Sequence, residues 1–225
     1  SNILLGKKAT AIFTATAGME VFFPAAKITV TGNPVRSIIA QSRVSREEAN
    51  RFFNLDDAKK TVLVTGGSLG AKGINEAVGE HLHQFEKNNV QLIWQTGKPY
   101  AAKAKEKCMD NKNIWTGEFI SQMDYAFAAA DIVVSRSGAI AIAELCVAKK
   151  PTVLVPFPFA AEDHQTVNAT ALVNKNAAMM VKDSEAMEKA VPLIIALSKD
   201  EQRQAEMKKN IAALAVTDAD KRIAD

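Results

Sequence analysis

Four short segments of the chain carry residue types that can bind phosphate groups or sugars. They are residues 65–71 (TGGSLGA), 117–123 (GEFISQM), 135–144 (SRSGAIAIAE) and 156–169 (PFPFAAEDHQTVNA). Each follows a short apolar run, so in a parallel sheet each would lie beyond the carboxyl end of a strand, where such sheets bind their ligands. The ordered set of four is more specific than any one segment.

The glycine-rich segment 65–71 is typical of a turn between a strand and a helix. Glycines let backbone N–H groups approach an anion, and a helix N-terminus favours negative charge. A P-loop is excluded because Ala71, not lysine, follows Gly70. A dinucleotide fingerprint is excluded because residues 91–96, at the end of the next strand, contain no acid. A tight turn that binds no ligand is the alternative.

Segment 135–144 repeats this pattern with a charged residue on each side. Ser137 and Gly138 can donate hydrogen bonds to a phosphate, and Arg136 can place a positive charge beside it. Glu144 lies about one and a half turns into the following helix, where its carboxylate can accept both hydroxyls of a ribose. The alternative for Glu144 is a solvated glutamate that the helix dipole favours.

The other two segments suit a sugar and a base. Residues 156–169 pass from a Pro/Phe loop to Asp, His, Gln and Asn, which can hydrogen-bond sugar hydroxyls. A catalytic role for His164 is less favoured than a cap or a ligand contact, because no base or nucleophile accompanies it. Residues 117–123 are apolar enough to cover a pyrimidine, although a buried hydrophobic loop fits the same spacing.

The elements that must position these segments alternate between apolar strands and amphipathic helices. Strands are predicted at residues 61–65, 90–95, 113–115, 132–135, 152–156 and 178–181, and helices at 70–83, 122–130, 139–148 and 165–174, with two more helices closing the chain. Apolar strands between helices indicate a parallel sheet covered on both faces. Right-handed crossovers then favour a Rossmann-like doubly wound α/β fold.

The first 35 residues have a different pattern. Residues 9–13 and 28–31 are predicted strands around a helical turn at 17–22, like the closing unit of a preceding domain. We therefore expect residues 1–35 to close a mostly missing domain, residues 36–217 to form the ligand-binding domain, and residues 218–225 to begin a final helix.

Composition excludes several classes of protein. Hydrophobic residues make up 48% and charged residues 24%, as in soluble globular domains. The net charge of +3 lacks the basic excess of a nucleic-acid-binding protein. Two distant cysteines suggest neither a disulfide framework nor a zinc site, which fits a reducing cytosol. No apolar run reaches the roughly 18 residues of a membrane span. The chain has no signal-peptide pattern and no initiator Met, so we expect an excised or processed piece.

Together these segments resemble the carboxy-terminal domain of the MurG family of glycosyltransferases, which have the GT-B fold. The matching residues are 32–36, 65–71, 117–120 with Met123, 136–139 with Glu144, and 157–169, nearly the whole chain. Members of the family invert the sugar linkage as they move GlcNAc from UDP-GlcNAc to the lipid-linked MurNAc-pentapeptide of peptidoglycan synthesis. The resemblance implies a hexosyltransferase that works in the cytoplasm, at the inner membrane.

The resemblance also implies where the donor would contact this chain. The contacts would be Arg36, Gly67, Ser68, Ala139 and Ile140 at the diphosphate; Phe119, Ile120 and Met123 at the uracil edge; Glu144 at the ribose; and His164 and Gln165 at the GlcNAc. Position 164 is often glutamine in the family, so His164 is a modest departure.

The resemblance is incomplete at the amino-terminal side. The family's histidine-containing acceptor loop, which is thought to supply the base, has no counterpart here, nor has its membrane-contacting patch. We expect this piece to bind UDP-GlcNAc but to transfer little or nothing. The lipid-linked acceptor and the membrane surface would then be partners of the full-length protein. Because oriented N–H groups and arginine can stabilise a leaving diphosphate, and no paired carboxylates are seen, we expect no metal and no cofactor.

Other functions fit part of the same pattern. A non-catalytic donor-binding subunit of a split glycosyltransferase would use the same motifs. A UDP-sugar epimerase would need an acid and a base at the sugar, for which only Glu162, Asp163 and His164 are candidates. An NAD oxidoreductase is weaker still, because the ribose-binding acid is missing after the second strand.

Overall fold

Two parallel sheets form the framework of the chain, and its structure, a computed structural model, describes residues 2–16, 18–109 and 111–224. The strands are β1 (Ile12–Thr14), β2 (Ile28–Val30), β3 (Lys60–Thr65), β4 (Val90–Gln95), β5 (Ile114–Gly117), β6 (Ile132–Ser135), β7 (Thr152–Leu154) and β8 (Met179–Met180). Strands β1 and β2 pair with each other, and the larger sheet has the order β5-β4-β3-β6-β7-β8.

The strands of the larger sheet are added outward from its centre, first in one direction and then in the other, which confirms the predicted doubly wound α/β fold. It runs from β3 outward to β5, returns to β6 beside β3, and continues outward to β8. Thr65 pairs with Gln95 on one side and with Ser135 on the other, so the carboxyl ends of β3, β4 and β6 are level. A crevice opens where the winding changes direction, between β3 and β6.

Helices cover both faces of this sheet. The α-helices of the described residues are α1 (Asn2–Lys8), α2 (Ser37–Ala40), α3 (Arg46–Phe53), α4 (Lys72–Glu80), α5 (Leu82–Lys87), α6 (Lys98–Lys107), α7 (Met123–Ala129), α8 (Ala139–Ala148), α9 (His164–Val173), α10 (Ala186–Lys199), α11 (Glu201–Ala212) and α12 (Ala219–Ala224). Short 3-10 helices lie at Met19–Val21, Ala25–Lys27, Ala161–Asp163 and Asp183–Glu185. Over the described ranges, no helix has both the length and the hydropathy that a membrane span needs.

The side chains of the strands pack in two separate hydrophobic cores, because successive side chains of a strand point to opposite faces of the sheet. Val62 and Val64 of β3 pack in the core that α4, α5, α6 and α10 cover. Leu63, between them, packs in the core that α3, α7, α8 and α9 cover. Burial on both faces explains why these strands are continuous apolar runs in the sequence.

Helix boundaries depart most from the sequence predictions. The predicted helix at residues 70–83 is wrong in extent, because His81 leaves helical geometry (φ −118°, ψ 21°) and separates α4 from α5. Helices α3 and α6 were not predicted. The start of α3 does carry a recognisable signal, since Ser45 and Glu48 form a reciprocal capping box.

Residues 1–35 include the small parallel sheet β1–β2. The strands lie close to the predicted residues 9–13 and 28–31, but 3-10 helices connect them. Residue 17 of the predicted turn at 17–22 lies outside the described residues. Several apolar side chains of this segment are exposed, including Leu4 and Val21. Asn33 ties the following linker to α8, because its Nδ2 donates to the carbonyl oxygen of Ala139 (3.3 Å).

Candidate functional site

A cleft of about 860 Å³ opens at the carboxyl ends of β3, β4 and β6. Its wall includes Arg36, Gly67, Ser68, Phe119, Met123, Arg136, Gly138, Glu144 and Gln165, all predicted as site residues from the sequence. Segments 65–71, 117–123, 135–144 and 156–169, which are far apart along the chain, therefore meet at one place.

The other predicted site residues lie beside the cleft rather than on its wall. They are Ile120, Ser137, Ala139, Ile140 and His164. Ile120 and Ser137 are buried, whereas Ile140 and His164 are exposed. Nδ1 of His164 lies 2.7 Å from the carbonyl oxygen of Ala161, a local contact within its own loop.

The glycine-rich turn between β3 and α4 depends on close backbone contacts. Gly67 and Gly70 have positive φ angles of 81° and 74°, which favour glycine. A methyl group at Gly70 would lie 2.0 Å from the carbonyl oxygen of Thr96. Gln95 donates from Nε2 to the carbonyl oxygen of Gly67 (2.9 Å) and accepts at Oε1 from the N–H of Ile120 (3.0 Å). One buried side chain therefore fixes this turn to the loop after β5.

The N-terminus of α8 presents backbone N–H groups at the cleft. Gly138 is its N-cap residue and provides no side-chain cap. First-turn N–H groups have no acceptor within their own helix, so those of Ala139 and Ile140 are available to an anion. Ser137 is engaged instead, because its hydroxyl donates to the carbonyl oxygen of Gln165 (2.8 Å) and its N–H donates to Oε1 of Gln165 (3.2 Å).

Arg136 has internal partners on the cleft wall. Its Nη1 donates to the carbonyl oxygens of Val155 and Pro156, each at 3.0 Å, and pairs with Asp183. Asp183 also contacts the first turn of α4, since a methyl group at Gly73 would lie 2.7 Å from its Oδ1. Arg136 therefore orders the loop after β7. Its partner Asp183 also places a carboxylate beside the N-terminus of α4.

Arg36 and Glu144 form a two-point ion pair across the cleft wall. Nε of Arg36 lies 2.6 Å from Oε1 of Glu144, and Nη2 lies 3.0 Å from Oε2. Only 11% of the Glu144 side chain is exposed, against 45% for Arg36. Paired N–H···O bonds of this kind are the strongest that a guanidinium makes with a carboxylate. The linker before α2 is thereby joined to α8.

Gln165 joins two loops of the cleft and keeps one donor group unused. Its Oε1 accepts from the N–H groups of Ser137 (3.2 Å) and Phe157 (3.0 Å). Among the described residues its Nε2 donates no hydrogen bond, and it lies beside Gly138 on the cleft wall. Gln165 can therefore order the loop after β7 and still donate to a ligand.

Some residues of the cleft were not predicted as site residues. Gln95, Asp183 and Lys72 line it. Nζ of Lys72 lies 3.9 Å from Oε1 of Glu76, and 86% of its side chain is exposed. A glutamine at the carboxyl end of a mostly apolar strand was a usable signal for Gln95. Asp183 carried no comparable signal, because a surface aspartate before a helix is common.

The described parts of the chain offer little for metal or thiol chemistry. Within residues 2–16, 18–109 and 111–224, no group of three or more His, Cys, Asp or Glu is placed to hold a metal ion. Both cysteines are buried and free. Burial raises the pKa of Cys146, on α8, to about 11, so its thiol stays protonated at neutral pH and is a poor nucleophile.

Comparison with known proteins gives one consistent family. Residues 61–223 match the glycosyltransferase family 28 C-terminal domain. A curated relative from Parabacteroides distasonis is named UDP-N-acetylglucosamine--N-acetylmuramyl-(pentapeptide) pyrophosphoryl-undecaprenol N-acetylglucosamine transferase. It is 48% identical over 227 residues, which cover 100% of this chain and 62% of that relative. The chain therefore spans less than two thirds of the relative's length.

Solved structures agree with this match. Acinetobacter baumannii MurG superposes with a TM-score of 0.76 at 27% identity, covering 100% of this chain and 61% of that one. S. aureus MnaA, solved with UDP, has a TM-score of 0.67 at 15% identity and covers 98% and 60% of the two chains. At 15% identity the second likeness shows the fold alone.

Proposed function

Because this chain belongs to the glycosyltransferase family 28 C-terminal domain family, we propose that it is the donor-binding part of an inverting GlcNAc transferase. The reaction would move GlcNAc from UDP-GlcNAc to undecaprenyl-diphosphate-MurNAc-pentapeptide, converting lipid I to lipid II in peptidoglycan synthesis. The name of the 48% identical relative supports this donor and this acceptor.

The single observation that carries the proposal is the cleft at the strand ends. A nucleoside diphosphate needs an apolar surface for its base, an acceptor for its ribose and donors for its phosphates. The cleft wall includes the apolar side chains of Phe119 and Met123, the carboxylate of Glu144, and the glycine-rich turn together with the N-cap residue of α8. We propose that the uracil, ribose and diphosphate bind in that order.

The remaining predicted contacts extend this arrangement to the sugar. Nε2 of Gln165 would donate to a GlcNAc hydroxyl, and the N–H groups of Ala139 and Ile140 would donate to the diphosphate. Arg36 and Ser68 would contact the diphosphate from the other side. His164 lies outside the cleft wall, so we propose a sugar contact for it only if the loop after β7 closes on the ligand.

The same geometry would stabilise UDP as the leaving group of the reaction. As the acceptor hydroxyl attacks the anomeric carbon, negative charge develops on the diphosphate, where oriented N–H groups and cations stabilise it. The base that takes the hydroxyl proton would come from the part of the relatives that this chain does not span. We propose no metal, because each carboxylate that lines the cleft in the described chain, Glu76, Glu144 or Asp183, pairs with a cation.

The proposed division of the protein follows from this function. Residues 1–35 would close the acceptor-binding domain, residues 36–217 would form the donor domain, and residues 218–225 would begin the carboxy-terminal helix. Exposed apolar side chains such as Leu4 and Val21 fit a surface that further chain covers. We place the full-length enzyme in the cytoplasm, at the inner membrane, with the lipid-linked acceptor bound by the other domain.

Calorimetric titration of the 225-residue chain with UDP, UDP-GlcNAc, GDP and NAD tests the proposal. We expect UDP and UDP-GlcNAc to bind, and GDP and NAD to bind at least about tenfold more weakly, since a surface that fits uracil does not fit a larger purine base. A chain that circular dichroism shows to be folded, but that prefers NAD or GDP, would contradict the uridine site. Transfer of GlcNAc should appear only when the chain is fused to the amino-terminal part of the Parabacteroides relative.

Replacing Gln165 with glutamate separates its two roles. The carboxylate of Gln165→Glu still accepts from the N–H groups of Ser137 and Phe157, but it has lost the Nε2 donor. We expect the ratio of UDP-GlcNAc to UDP affinity to fall by about fivefold, the value of one lost hydrogen bond. The free energy of unfolding should change little. An unchanged ratio would mean that Gln165 serves only to order the loops.

The alternative functions have less support. For a UDP-sugar epimerase, Glu162, Asp163 and His164 would have to face the sugar, yet all three are exposed and off the cleft wall. Incubation with UDP-GlcNAc alone should return no epimer. A donor-binding subunit of a split enzyme would use the same cleft, and a separate acceptor chain that restores transfer without fusion would favour it.

A further inference from the structure

The ion pair between Arg36 and Glu144 conflicts with the ribose contact proposed for Glu144. Both carboxylate oxygens already accept from the guanidinium, at 2.6 and 3.0 Å. A ribose diol would need the same two oxygens. Only 11% of the Glu144 side chain is exposed, and both residues line the cleft, so a ribose in the cleft competes with the guanidinium for this carboxylate.

We propose that Arg36 makes the site selective for nucleotides that carry a diphosphate. This inference rests on the proposed function. A nucleoside must break the ion pair and offers the released guanidinium no new anion. A nucleoside diphosphate breaks the same pair but supplies two phosphate groups, which a guanidinium binds as readily as a carboxylate. Arg36 would therefore exchange one anion for another only when the correct ligand arrives.

Arg36 is free to make this exchange because other contacts hold its backbone. Asn33 bonds to the carbonyl oxygen of Ala139, and Val35 packs against the core beneath α7 and α8. The Arg36 side chain is 45% exposed, so its guanidinium can swing without moving the linker.

The other cations of the described cleft wall are not suited to the same exchange. Arg136 is fixed by two carbonyl oxygens and Asp183, with 12% of its side chain exposed. Lys72 is only loosely paired with Glu76, at 3.9 Å, and does not contact Glu144. Lys72 therefore provides a matched control, because its replacement removes the same charge from the same cleft and leaves Glu144 covered.

Titration of Arg36→Met and Lys72→Met with uridine and with UDP tests this proposal. Arg36→Met should bind uridine about fivefold more tightly than the wild type, because Glu144 is uncovered at the modest cost of a part-exposed ion pair. It should bind UDP about tenfold more weakly, because a charge-assisted contact is lost. Lys72→Met should leave the uridine affinity unchanged. Arg36→Lys, which keeps the charge but not the two-point pairing, should fall between wild type and Arg36→Met.

The opposite signs for uridine and UDP separate this proposal from a structural role. If Arg36 merely positions Glu144, both affinities should fall together, and the proposal is wrong while the uridine site stands. If the folded wild type binds no UDP, the proposed function is wrong, and this inference, which rests on it, is wrong as well. 2′-Deoxyuridine should gain less than uridine from Arg36→Met, because it offers the uncovered carboxylate only one hydroxyl.

Discussion

Replacement of Glu144 with alanine should lower the affinity for UDP by about thirtyfold, or about 2 kcal/mol, the value of two hydrogen bonds to a carboxylate. The carboxylate lies on α8 with 11% of its side chain exposed, so water does not easily replace it. The measured loss understates the ribose contact, because the wild type must first release Arg36 and the variant need not. Calorimetry on the 225-residue chain measures both affinities.

A ligand that lacks the ribose hydroxyls locates the effect. The wild type should lose affinity for 2′,3′-dideoxy-UDP by a similar factor, whereas Glu144→Ala should bind UDP and the dideoxy analogue equally, as expected when two changes remove one interaction. Glu144→Gln serves as the isosteric control, since it keeps one acceptor oxygen and should lose less. If the dideoxy analogue still binds the alanine variant more weakly than UDP does, another residue holds the ribose.

The sheet was predictable because buried parallel strands are continuous apolar runs. Strands β4 and β6 and helix α8 lie at the predicted residues 90–95, 132–135 and 139–148. Helix α6 was missed because its packing face is small. Of its ten residues only Tyr100 and Ala104 are buried, and lysines occupy much of the rest. A helix whose apolar stripe is this narrow has little periodicity for a sequence reading to detect.

The membership of the cleft was predictable, but the pairings within it were not. Strand-end segments of a doubly wound sheet converge at the crevice, so residue types near those ends identified most of the wall. Arg36 and Glu144 are 108 positions apart, and nothing in their types distinguishes two ligand contacts from a pair that bind each other. The two hydrogen bonds that Gln165 accepts likewise depend on tertiary structure, because they form only where the loops after β6 and β7 approach each other.

These pairings stabilise the polar groups of the cleft wall. Arg36 with Glu144, Arg136 with Asp183, and the loop N–H groups with Gln165 satisfy groups that would otherwise lose hydration without a partner. These contacts order the cleft wall, and under the proposed function ligand selectivity would depend on which of them a ligand can replace. Arg36 is the one whose side chain has room to move.

Gly70→Ala should be the most damaging single substitution in the glycine-rich turn. Gly70 has a φ of 74°, and an added Cβ would lie 2.0 Å from the carbonyl oxygen of Thr96 and 2.9 Å from its carbon. Because backbone atoms of the adjoining loop cannot rotate away as a side chain can, the turn between β3 and α4 must shift. We expect the free energy of unfolding to fall by about 3 kcal/mol, as for overpacked sites in general. UDP binding should be lost with the turn geometry.

Gly67→Ala separates the clash from the backbone strain. Gly67 has a similar φ of 81° but open space around its added Cβ, so only the left-handed conformation is penalised, at about 1 kcal/mol. Urea unfolding of the two variants should therefore differ by about 2 kcal/mol. Equal losses would show that strain alone governs the turn and that the contact between Gly70 and Thr96 is not rigid. If Gly67→Ala lost more unfolding free energy than Gly70→Ala, the placement of the turn would be wrong, because Gly67 would then be the crowded glycine.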